Sequence, residues 1–149
     1  MFESIVNFVK LTDTAQAPTR GSEQAAGWDL YADINGDYAS LLPGEVFKIS
    51  AGISIALPEG TFGAIFARSG LSTKKGLAPA NKVGVIDSDY RGPIIVALKN
   101  ESNQVQTIEH GERIAQLVVI PYCPIILNEA NILSSTERGS GGFGSTGMK

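Results

Sequence analysis

Short runs rich in Val, Ile and Phe recur along this chain, each closed by Gly, Pro, Asn or Asp, and no stretch keeps an apolar spacing of 3.6 residues. The runs are IVNFVKL (5–11), GEVFKISAGISIAL (44–57), TFGAIFAR (61–68), NKVGVID (81–87), PIIVAL (93–98), QVQTI (104–108) and RIAQLVVI (113–120). Turn signals fall between them at NG (35–36), PG (43–44), PEG (58–60), DSDYRGP (87–93) and HG (110–111). Many short strands at this spacing predict an all-β, mostly antiparallel sandwich or jelly roll, because a βαβ fold needs long amphipathic helices between its strands. The sequence offers one short helix, around Gly70 to Lys75. A chain of 149 residues makes one domain with a real core, and no linker or internal repeat divides it.

Composition narrows the function classes. The net charge of −3 argues against a general nucleic-acid binder, which is usually basic, but permits a free nucleotide neutralised by a few placed arginines and a metal. Cys123 is the single cysteine and His110 the single histidine, so neither an intrachain disulfide nor a protein-built zinc centre is expected. His110 lies in IEHGER and reads as a solvated turn residue. No apolar run is long enough to cross a bilayer, and the N-terminal MFESIVNFVK lacks the pattern of a signal peptide. The default expectation is a reducing, cytoplasmic setting, with nuclear, organellar or viral settings left open.

Five segments can carry chemistry. The tail from Arg138 to Lys149, RGSGGFGSTGMK, contains five glycines, and Phe143 is its only aromatic side chain. Its backbone N–H groups can approach phosphate oxygens closely, Arg138 offers a planar fork, and Phe143 can lie flat on a base. Such a tail is either a lid for a nucleotide or an unstructured Gly/Ser terminus. In VGVIDSDYRGP (83–93), two β runs flank an acidic turn that predicts a hairpin. Asp87 and Asp89 are expected to face different ways; one is a candidate general base, and the competing reading makes both simple turn formers. ARSGLS (67–72) lines up the charge of Arg68, the hydroxyl of Ser69 and the N–H of Gly70, though Ser-Gly is also a common turn and cap. AAGWDLYA (25–32) reads as a strand with Trp28 and Leu30 on one face, Trp28 in core or interface, and Asp29 on the other. In ERIAQLVV (112–119), Gln116 is the odd polar member and needs a partner if buried.

Taken in order, AGWDLYA, RSGLS, NKVGVIDSDYRG, GERIAQLVV and RGSGGFGSTG resemble the five motifs of the trimeric dUTPase family, over nearly the whole chain from about residue 18. The resemblance implies a distorted jelly-roll or β-clip-like sandwich: a β domain over residues 1–133 and a flexible Gly-rich lid over 134–149. It implies a homotrimer with shared active sites that hydrolyses dUTP to dUMP and pyrophosphate with Mg²⁺, keeping uracil out of DNA and supplying dUMP for dTMP synthesis. By motif match, Asp87 activates the water that attacks the α-phosphorus. Arg68, Ser69, Gly70 and Gln116 hold phosphate oxygens. Asn81, Gly84, Val85, Ile86 and Ile95 form the uracil slot, and Tyr90 packs under the deoxyribose. Phe143 and Gly144 close over the base, with Arg138 on the γ-phosphate. The resemblance further implies that Mg²⁺ is held mainly by the phosphates and water, with Asp29 the candidate contact to a metal-bound water and Arg113 a supporting residue. Trp28 stands where the family commonly has Tyr or Phe, Ala67 where it commonly has Pro, and Lys82 is unusual beside Asn81.

Two rivals share the fold. A dCTP deaminase, or a bifunctional deaminase–dUTPase, would need a Glu near the pyrimidine, and the sequence places none near residues 83–93. A binding protein without catalysis would not need Asp87, Arg138 and Phe143 together.

Overall fold

Short runs rich in Val, Ile and Phe, closed by turn residues, produce the strands described here; Tyr38–Leu41 and Ile95–Asn100 alternate buried and more exposed positions. The computed structural model describes residues 5–36 and 38–142. In order along the chain, these are β1 (Asn7–Lys10), β2 (Thr19–Arg20), β3 (Trp28–Tyr31), β4 (Tyr38–Leu41), β5 (Val46–Ser50), β6 (Ile53–Ala56), β7 (Thr61–Phe66), α1 (Ser69–Lys75), β8 (Leu77–Pro79), β9 (Gly84–Asp87), β10 (Ile95–Asn100), β11 (Gln106–Glu109) and β12 (Arg113–Pro121). Every ladder among them is antiparallel. A five-stranded sheet in the order β2-β3-β12-β7-β9 and a three-stranded sheet β5-β10-β8 are joined by the pairs β1-β6 and β4-β11. The expected all-β fold with one short helix is what forms.

One core fills the space between these sheets. Leu30, Leu41, Ile53, Leu77, Leu98 and Ile114 are each at most 1% exposed and belong to a single cluster. The run 44–57 makes β5 and β6 because Gly52 turns the chain at φ 67°, and a Cβ there would strike Ala15 and Asp33. Asn100, fully buried at the end of β10, donates to the carbonyls of Leu41 (2.9 Å) and Gln104 (2.7 Å) and accepts from the Ser102 backbone and hydroxyl (2.9 and 2.7 Å). It thereby ties the three-stranded sheet to β4. The helix stops at Gly76, left-handed at φ 66°, with Lys74 and Lys75 in its last turn.

The segment 83–93 departs from the expected hairpin. β9 pairs only with β7, whereas β10 pairs with β5 and β8 in the other sheet. The acidic turn is therefore a crossing between sheets, closed by a bond from the Tyr90 N–H to the Asp87 carbonyl (3.1 Å). Trp28 is also not core: it is 41% exposed, with the Arg20 guanidinium stacked 5.0 Å over its ring. His110 is half-buried rather than solvated, and its Nδ1 accepts the Ile34 N–H at 3.2 Å.

Candidate active site

Three sequence segments meet where β3, β12 and β7 end near α1. Asp29 stands opposite Gln116, and Gln116 opposite Phe66, so the three form one row across the sheet on a common face. Arg68, extended at φ −91° and ψ 129°, leads the chain into α1. Its Nε donates to Asp29 Oδ1 at 2.8 Å, and Arg113 Nη1 donates to Asp29 Oδ2 at 3.2 Å. Asp29 is 14% exposed and fixes both guanidinium groups by its two oxygens. Two cations against one anion leave this end of the sheet positive, as an anion site needs. Gln116 Nε2 donates to the Ala67 carbonyl at 2.9 Å, and the bare Cα of Gly27 leaves the space its side chain fills: a Cβ there would run into Gln116 Oε1. Ser69 and Gly70 are exposed and open α1, so their N–H groups have no acceptor within the helix.

The second group of residues surrounds β9. This strand ends the order of its sheet, so one edge carries backbone N–H and C=O groups with no strand beside it. Val85 and Asp87 share its exposed face, while Ile86 turns inward against the core. Gly84 begins the strand so close to β7 that a Cβ would lie 3.1 Å from the Ile65 Cβ. The Asn81 amide lies over this start, with Nδ2 3.5 Å from the same point. The exposed Tyr90 donates its hydroxyl to the Pro93 carbonyl (3.1 Å), and Gly92 leaves room for that ring. Ile95, half-exposed, opens β10 opposite Ser50.

Asp87 lines an open cleft of about 890 Å³ together with Asp89, Glu59, Phe62, Val85 and Arg91. Both aspartates line this cleft. Glu59 corrects an expectation. It is remote in sequence, yet the turn before β7 brings this carboxylate beside the segment in which no Glu was expected. Glu101 also reaches this region through Lys82 (2.6 Å).

One chain does not unite the two groups. Asp87 stands opposite Phe62, and Ser69 lies seven residues further along the same stretch of chain. At about 3.3 Å per extended residue, this separates them by roughly 20 Å. From Tyr122 to Ser140 the chain is exposed at every residue. Arg138 closes a local turn there, its Nε donating to the Gly141 carbonyl at 2.8 Å. Phe143 and Gly144 lie outside the described residues. Sequence reasoning missed Gly27 and Gly92, whose value is the space they leave for Gln116 and Tyr90.

Comparison with known proteins gives this geometry its context. The family model described as dUTPase matches residues 13–147. The chain is 44% identical over 147 residues to the deoxyuridine 5'-triphosphate nucleotidohydrolase of Desulfitobacterium hafniense (strain DSM 10664 / DCB-2), covering 96% of this chain and 95% of that one. It is 46% identical over 140 residues to the same-named protein of Hydrogenobaculum sp. (strain Y04AAS1), covering 94% and 96%. Its structure is similar to that of Staphylococcus bacteriophage 80alpha dUTPase with dUPNHPP, with a TM-score of 0.88, 28% identity and coverage of 98% of this chain and 100% of that one. With a family model spanning nearly all of its length and full-length relatives above 40% identity, the chain belongs to the dUTPase family.

Proposed function

We propose that the protein hydrolyses dUTP to dUMP and pyrophosphate at sites shared between the subunits of a homotrimer, which keeps uracil out of DNA and supplies dUMP for dTMP synthesis. The observation that carries this reading is the free edge of β9 ending in Asp87. Uracil presents two carbonyl acceptors and one N3–H donor, and an unpaired strand edge offers the complementary backbone groups. Asn81 adds its amide, with Val85 and Ile95 beside the slot. The amino group of cytosine would leave donors of such a slot unpaired, and discrimination of that kind is large. Tyr90 packs under the deoxyribose, where a 2′-hydroxyl would collide with its ring.

Asp87 accepts a proton from the attacking water. The new bond forms between the water oxygen and the α-phosphorus, the bond to the bridging oxygen breaks, and pyrophosphate leaves with that electron pair. Arg68, Ser69, Gly70 and Gln116 hold the phosphates and the charge that develops on the leaving group. Arg138, Phe143 and Gly144 close over the nucleotide and exclude water. Mg²⁺ would be held by the substrate phosphates and water, hard oxygen donors, with Asp29 reaching a metal-bound water. Bound in that way, Mg²⁺ neutralises phosphate charge.

A shared site is supported by the separation of Asp87 from Ser69 within one chain. It is supported also by apolar surface that a lone chain leaves in water: Ile125, Ile126, Leu127, Ile132 and Leu133 are each at least 73% exposed. The test is pyrophosphate release from dUTP, dTTP, dCTP and UTP, with Asp87→Asn as control. The variant should bind dUTP while turnover falls about 10²- to 10⁴-fold. Equal rates on all four nucleotides, or undiminished turnover in the variant, would refute the proposal. Ammonia from dCTP would instead support a deaminase, the reading that Glu59 in the cleft favours.

A further inference from the structure

Lys82 is the one non-glycine with a positive φ (65°) among the described residues. It sits in the four-residue link that carries the chain from β8 in one sheet to β9 in the other. Two bonds tighten that link: the Lys82 N–H donates to the Pro79 carbonyl (3.0 Å), and the Val83 N–H to the Asn81 carbonyl (2.7 Å). A side chain in the left-handed region is strained, and such strain persists only where the surroundings hold it. Here the holder is visible. Lys82 Nζ donates to Glu101 Oε1 at 2.6 Å, and Glu101 is itself anchored by its N–H on the Gly76 carbonyl (2.8 Å). The ammonium hydrogen bond and then its charge lower the Glu101 carboxyl below its ordinary range, and Lys99 adds a smaller pull.

The strained residue lies next to Asn81, whose amide covers the start of β9. We infer that Lys82 and Glu101 form a clasp that fixes the turn before β9, and so holds the Asn81 amide and the free strand edge where they read the base. Both are positioning residues; neither touches the reacting atoms. The inference rests on the proposal that Asn81 to Ile86 line the uracil slot, and it adds what sets that slot.

The test is steady-state hydrolysis of dUTP by Glu101→Gln, Lys82→Gly and the charge-swapped pair Lys82→Glu with Glu101→Lys, with Asn81→Ala as the slot control. Glu101→Gln removes the clasp and keeps the left-handed residue. Lys82→Gly removes the clasp while relaxing the strain. Each should raise KM for dUTP about three- to fivefold with kcat unchanged, the scale of one exposed ion pair, and Glu101→Gln should leave Tm unchanged. The swapped pair should return KM towards the parent value. A merely structural pair would move Tm and not KM. Unchanged KM in Glu101→Gln beside a raised KM in Asn81→Ala overturns the clasp and leaves the slot standing. Unchanged KM in Asn81→Ala as well overturns both.

Discussion

Gln116 shows how much a single side chain can do away from the phosphates it was expected to touch. One amide hydrogen is committed to the Ala67 carbonyl, immediately before Arg68 and Ser69, and its oxygen fills the hollow over Gly27. The residue therefore props the arc that would meet the triphosphate, and its second amide hydrogen is what remains for a phosphate oxygen. Gln116→Ala should lower kcat/KM about tenfold, the effect of one well-placed hydrogen bond. Gly27→Ala should lower it comparably, because the new methyl displaces the Gln116 amide. The double variant should be no worse than Gln116→Ala alone, since both changes remove one interaction. Additive losses, read from initial rates on dUTP, would show that Gly27 acts on something other than Gln116. The same logic explains what the residue pattern concealed. Asp29 was legible as a charged member of a strand, but its partners Arg68 and Arg113 lie 39 and 84 positions away. No spacing along the chain reveals that one carboxylate orients both guanidinium groups.

At the scale of elements, runs rich in β-branched residues were readable, and a strand carrying a proline was not. Residues 113–120 predicted β12 (Arg113–Pro121) almost end to end, because a central strand flanked by β3 and β7 reads as a near-continuous apolar run. β8 escaped because Pro79 reads as a breaker; it is tolerated because β8 lies at the edge of its sheet. The segment 83–93 predicted a hairpin because two β runs flank a turn. Ladder choice was decided elsewhere, by β7 for one run and by β5 and β8 for the other. Asn100 belongs to the same class of long-range decisions. Its amide bridges β10, the Leu41 carbonyl 59 positions away and the loop to Gln104. Asn100→Ala should cost about 2–4 kcal/mol by stranding buried carbonyls and the Ser102 N–H. For a domain of this size that is a fall in Tm of roughly 5–12 °C, measurable by thermal melting. A Tm within 2 °C or so of the parent would mean that water replaces the amide in full.

The whole molecule raises a question that neither residue nor element answers: how groups at opposite ends of β7 can serve one phosphate chain. A triphosphate is far shorter than the roughly 20 Å between Asp87 and Ser69 along one chain. Either one group is idle or the site is built across a subunit boundary. The exposed run beyond β12, with Ile126 and Leu127 at least 90% exposed, favours the second, because a free chain would not keep such surface in water. Closed symmetry makes this testable without a structure of the assembly. Asp87→Asn and Ser69→Ala should each be nearly inactive alone. Refolded together in equal amounts, they should regain about one quarter of parental activity, because random assembly pairs an intact Asp87 with an intact Ser69 on the neighbour at that frequency. If both groups act within one chain, every site in the mixture carries a defect and nothing is regained. Native mass measurement locates the recovered activity: recovery must appear only in assemblies that mix the two variants, and its absence there, with both variants folded and assembled, would return the site to a single chain.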